Sequence, residues 1–144
     1  MGSRLFEEIR EKRGLCYSVY AVDHTFADVP VLQLGSGLES GKCVEAYTRM
    51  REIVDELRKN GPTEEEVQRA RAYAAGRTVL AFENTNAVAR YGASQKIVYG
   101  EDVNPDAAIA ALDAVTFDEV REVAADVAEN LAVACVGPHE ASEF

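Results

Sequence analysis

Two side chains in this sequence have the types and spacing to handle a peptide. Arg10 offers a planar fork of donors and Tyr17, seven residues on, offers a phenol. Only a short junction through Gly14 separates them, so a guanidinium and a phenol converge on the edge of a strand. There they could grip a peptide backbone, or cap a helix carboxyl end and pack the junction. Other chemistry is sparse. The two histidines, His24 and His139, lie far apart in sequence, and neither has a Ser or Cys placed beside it as a nucleophile. His24, next to Asp23 at a strand end, reads as a surface or capped residue rather than a base. Cys16, Cys43 and Cys135 are odd in number, form no CxxC pair, and lie in apolar contexts. They are expected to be buried thiols in a reducing compartment. The run Gly35–Lys42 lacks the spacing and the following Ser or Thr of a phosphate-cradling loop.

The stretch that must position Arg10 and Tyr17 is Ser3–Tyr20. It opens as an amphipathic helix, with Leu5, Phe6 and Ile9 on one face and Glu7, Glu8, Glu11 and Lys12 on the other. Gly14 stands where a left-handed residue ends a helix. A strand follows, with Tyr17, Val19 and Ala21 alternating against Cys16, Ser18, Tyr20 and Val22.

The string LFEEIREKRGLCYSVY resembles the C-terminal, zinc-free half of the pitrilysin/insulinase metalloproteases, the inverzincins, in their small bacterial branch akin to mitochondrial processing peptidase. In that family the helix carries an Arg and, seven residues later, a Tyr that reach toward substrate in the zinc half; here these are Arg10 and Tyr17. The resemblance implies an antiparallel sheet backed by helices, in two homologous halves that enclose a chamber. It also implies that zinc sits in the partner catalytic half, held by an HxxEH motif and a distant Glu. This sequence has no HxxEH. His139–Glu143 lacks the second histidine, so no metal and no cofactor is expected here and the chain alone should be inactive.

Length and charge agree with that picture. The chain has 144 residues, with 15 Lys and Arg against 25 Asp and Glu, a formal charge of −10. A basic face for nucleic acid is not expected, and no run of about 18 apolar residues offers a membrane span. A cytoplasmic location is expected.

Read in order, the first strand continues to His24 and breaks over Phe26–Pro30. A second strand, Val31–Leu38, should pair with it as an antiparallel hairpin and be buried on both faces, with Gly35 and Gly37 marking a close approach or a bulge. Helices follow over Lys42–Asn60, from the capping box Thr63–Glu66 to about Asn84, over Ala87–Tyr99, from Asn104-Pro105, and from the capping box Thr116–Glu119. Leu131–Val136 reads as a short buried strand, and the last residues as a frayed tail. The fold class is α+β, a mostly antiparallel sheet with helices on one face. One partial domain spans 1–137, with 138–144 as its tail. The segments LRKNGPTEEEVQRAR and VGP recur in the resembled family at these places, whereas its first strand and helix are absent here. The expected partners are therefore a peptide or protein substrate, a zinc-bearing homologous domain or subunit, and a second copy of this chain in a homo-oligomer. A purely structural assembly subunit is the alternative.

Overall fold

The computed structural model describes residues 2–26, 29–102 and 104–144. The chain divides into two compact units, Met1–Asn60 with Asp126–Phe144, and Gly61–Ala125.

In the first unit, Ser3 opens the helix, its Oγ accepting the Phe6 N–H at 3.2 Å. The helix then widens into a π-helix over Phe6–Glu11, with the Lys12 N–H donating to the Glu7 carbonyl at 2.9 Å. Gly14, at φ 58°, reverses the chain in the left-handed region, where a side chain would be strained. β1 (Cys16–Phe26) and β2 (Val29–Leu38) pair antiparallel and form a two-stranded sheet. α1 (Cys43–Asn60) packs against the N-terminal helix and shares its core with the sheet. Leu5, Ile9, Leu15, Ala46 and Ile53 make the core, with Cys16, Val19, Leu34, Leu38 and Met50 packed against them. Ile9 is the largest wholly enclosed side chain.

The α+β class and the antiparallel hairpin are as the sequence indicated. The facing of β1 is not. Cys16 pairs with Leu38 and Ser18 with Gly37, so two residues of β1 oppose one of β2 and Tyr17 is the extra residue of a bulge. A bulge shifts the two-residue alternation by one. Cys16 and Val19 therefore share the core face, whereas simple alternation puts them on opposite faces. The strands also run further than expected, and Pro30 pairs with Thr25. Proline is tolerated there because each strand of a two-stranded sheet has an edge at which a missing N–H costs nothing. Val31 and Leu32 point to opposite faces and both are exposed, because the core contacts of β2 lie at Leu34 and Leu38, toward the other end of the hairpin. At Gly35 the expected close approach is present: a Cβ there would stand 2.3 Å from the Tyr20 ring.

Asp126–Phe144 is irregular up to a short 3-10 turn at Ala141–Glu143. The strand expected at Leu131–Val136 does not form, and its residues are exposed, because a strand needs a paired neighbour and this run has none among the described residues. The tail expected to fray is folded instead. The Glu140 N–H bonds Glu143 at 3.1 Å, His139 Nδ1 lies 2.9 Å from Glu143 Oε2, and the Phe144 ring stands edge-on to Tyr47 at 5.5 Å. The cysteines differ from expectation as well: Cys16 and Cys43 are half-buried and Cys135 is exposed.

The second unit is helical. α2 (Glu64–Phe82) starts in a complete capping box of Thr63 and Glu66. α3 (Thr85–Ser94) is capped by Asn84 and extended by a π-turn, Gln95–Tyr99, before the left-handed Gly100. α4 (Pro105–Ala114) is capped by Asn104, with Pro105 in its first turn. α5 (Phe117–Ala125) follows Thr116, whose Oγ1 accepts the Glu119 N–H at 3.2 Å. Each start lies where a side-chain acceptor precedes the helix, as the sequence indicated for α2, α4 and α5, whereas α3 begins two residues before the expected Ala87. α2 packs against α3, α4 and α5, and the Phe82 and Tyr91 rings meet at 5.2 Å. Among the described residues no helix is long and apolar enough to cross a membrane.

One electrostatic hub ties the first helix to α1. Glu8 accepts Lys12 at 2.6 Å, Arg13, and Arg49 at 3.0 Å, and Arg49 also holds Glu52 and Glu56. The Lys12, Arg13 and Arg49 hydrogen bonds, in that order, lower the Glu8 carboxyl from 4.5 to about 2. A carboxyl that is more acidic in the folded state stabilises it above the unfolded value and loses that contribution as pH falls through the folded one. Between about pH 4.5 and 2, wild type should therefore lose melting temperature faster than Glu8→Gln. Parallel curves in thermal melts across that window would refute the coupling.

Candidate functional site

The site is built by the first turn of structure and the first residue pair of the sheet. In the π-helix, Phe6 and Arg10 lie one turn apart on the same side, and Arg10 is in the last turn. The helix ends in two backbone bonds, from the Gly14 N–H to the Arg10 carbonyl at 3.1 Å and from the Leu15 N–H to the Ile9 carbonyl at 2.9 Å. Lys42, in the short turn that leads into α1, secures this corner by donating from Nζ to the Gly14 carbonyl at 3.3 Å. With the helix end thus closed by backbone and by Lys42, the Arg10 side chain is not needed as a cap.

Its guanidinium carbon lies 5.0 Å from the centre of the Phe6 ring and 5.4 Å from that of Tyr17. Both distances are cation–π range. Tyr17 is 86% exposed. The bulge is what aims it, since the extra residue of a bulged strand leaves the ladder. Arg13, Arg49 and Arg58 are each engaged by carboxylates; among the described residues the Arg10 guanidinium has no such partner. The arrangement presents several free N–H donors and one phenol O–H on an exposed edge, held at fixed separation by ring contacts. Chemically it can donate hydrogen bonds to carbonyl oxygens and favour negative charge. It holds no general base or nucleophile.

The structure thus brings together Arg10 and Tyr17, the pair singled out by the sequence. It adds Phe6, which the sequence reading placed only on the apolar face; the signal was the four-residue spacing to Arg10. It does not bring the histidines there. His24 is at the far end of the hairpin, opposite Val31, with Nε2 3.0 Å from Gln33 Oε1, while His139 pairs with Glu143 in the C-terminal segment. Among the described residues no three His, Cys, Asp or Glu side chains group as metal ligands, so this donor set does not fit zinc.

Residues 1–73 match a family model described as the peptidase M16 inactive domain. An uncharacterized zinc protease of Streptomyces coelicolor is 37% identical over 127 residues, covering 88% of this chain and 28% of that protein. The uncharacterized zinc protease YmxG of Bacillus subtilis is 27% identical over 139 residues, covering 96% of this chain and 34% of its own length. The chain therefore spans about a third of these curated relatives. A solved structure of a conserved protein from Enterococcus faecalis superposes with a TM-score of 0.67 at 23% identity, over 85% of this chain and 28% of that one, which bears on the fold.

Because Arg10 and Tyr17 are exposed and bond to nothing in the core, removing them should cost little stability. Arg10→Ala and Tyr17→Phe should each change unfolding free energy by no more than about 1 kcal/mol. Ile9→Ala, which empties an enclosed site in the core, should cost about 2–5 kcal/mol. Denaturant titration of the three variants checks the contrast.

Proposed function

The chain belongs to the M16 peptidase family, as its inactive domain, and from that premise we propose that it is the substrate-binding half of a zinc peptidase, residues 1–137 forming the domain and 138–144 its tail. In this reading Arg10 and Tyr17 hold an extended peptide by its backbone carbonyls, while a homologous zinc-bearing domain or subunit carries out hydrolysis. The Arg10 guanidinium also favours the negative charge that develops at the scissile carbonyl. The observation that carries the reading is a cation without a carboxylate partner among the described residues, set 5.4 Å over an exposed Tyr17 by a bulge and a π-turn. A structural assembly subunit would have no use for that exposed donor set. The proposed setting is cytoplasmic, with a peptide or protein as substrate.

With the zinc-bearing half supplied, Arg10→Ala and Tyr17→Phe should each lower peptide turnover by roughly ten-fold or more, as loss of a donor to developing charge does. Binding of the two halves and melting temperature should be unchanged. Full turnover in both variants would leave the structural subunit as the better reading.

The isolated chain is proposed to self-associate. Among the described residues both strands have free edges, Val29, Val31 and Leu32 are exposed, and so is the whole apolar run Leu131–Val136. Sedimentation at micromolar concentration should find a homo-oligomer burying at least ~1,000 Å². A single species at 15.7 kDa would refute it.

A further inference from the structure

The C-terminal segment is strapped along one face of α1. Cys43, Tyr47, Val54 and Arg58 recur at helical spacing and form one stripe. At the far end of the stripe Arg58 binds Glu129, and near its start Tyr47 meets Phe144. From Arg58 back to Cys43 the helix rises about 22 Å. From Glu129 to Cys135 an extended chain spans about 20–22 Å. Held at Arg58 by Glu129 and near the start of the stripe by Phe144, the segment is long enough to bring Cys135 to Cys43, and the Cys135 thiol acts on that of Cys43. Cys135 is exposed and Cys43 half-buried, its Sγ 3.6 Å from the Glu39 carbonyl. Cys16 belongs to the margin of the core.

We propose that Cys43 and Cys135 are a redox-active pair that closes to an intramolecular disulfide and staples the C-terminal segment to the start of α1. The oxidant is a small disulfide of the glutathione class. The exposed Cys135 thiolate attacks its S–S bond, forming a mixed disulfide and releasing one thiol. Cys43, as thiolate, then attacks Cys135 Sγ and the second small thiol leaves. Two protein thiols lose two electrons, the small disulfide gains them, and both protons end on the released thiols. Burial, the Cys135 thiol beside it and the Glu143 carboxylate push the Cys43 thiol up, which suits it to the resolving step and not to the first attack.

The test treats the folded 144-residue chain with oxidised glutathione at neutral pH, then alkylates and maps the peptides. Free thiols should fall from three to one, with Cys16 alkylated, a Cys43–Cys135 cross-linked peptide, and unchanged monomer mass on a denaturing, non-reducing gel. Melting temperature should rise on closure and return with dithiothreitol. In Cys43→Ser the reaction should stop at a glutathione adduct on Cys135. Three thiols persisting, a lasting adduct without closure in wild type, a bond to Cys16, a mixture of pairings, or cross-linked dimers would each overturn the proposal.

Discussion

The reversal of chain direction between Arg10 and Leu15 is the constraint on which the N-terminal unit depends. Over these few residues the backbone must leave a widened helix, pass through the left-handed region at Gly14, and enter the sheet with Ile9 still enclosed. Each orphan carbonyl at the helix end needs a donor, and the Gly14 and Leu15 N–H groups supply two. Lys42 fastens the same corner to α1, and Arg49 fastens the other side through Glu8. The corner is therefore held by backbone, by an apolar residue and by two cations at once. The side chains of Arg10 and Tyr17 are left on its outer surface with no part in holding it.

Much of this was legible in the sequence because it is local. A cap is a statement about three or four consecutive residues, so Thr63 with Glu66, Asn104 with Pro105, and Thr116 with Glu119 mark their helices without reference to anything distant. Gly14 and Gly100 mark ends for the same reason, each in the left-handed conformation that ends a helix. The Arg10–Tyr17 pairing also follows from a short junction. What was not legible depends on partners remote in sequence. The bulge at Tyr17 exists only in the register between β1 and β2, and a period-two reading of β1 has no means of seeing it.

Leu131–Val136 shows the same limit from the other side. Its composition satisfies every local rule for a buried strand, yet pairing is a property of two segments, and the run lies exposed with no paired strand among the described residues. The expectation of buried thiols failed similarly. Apolar neighbours in sequence say nothing of where a segment docks, and the docking of 129–144 along α1 is set by single contacts at Arg58 and Tyr47.

The exposed state of the Arg10–Tyr17 pair is itself an argument about how such a site works. In water a cation over a ring is worth only about 0.5–1 kcal/mol, and a guanidinium there is well solvated. The pair therefore neither stabilises the fold much nor binds much by itself. Its strength rises when a second surface removes the water, because the attraction between a guanidinium and a carbonyl or developing oxyanion grows as the local dielectric falls. Carboxylates outnumber cations in this chain, and an Arg in such a protein readily acquires an acidic neighbour, as Arg49 does three times over. Among the described residues Arg10 has acquired two aromatic rings instead. Rings fix the direction of the guanidinium without neutralising it, so its charge remains available to whatever closes over the edge.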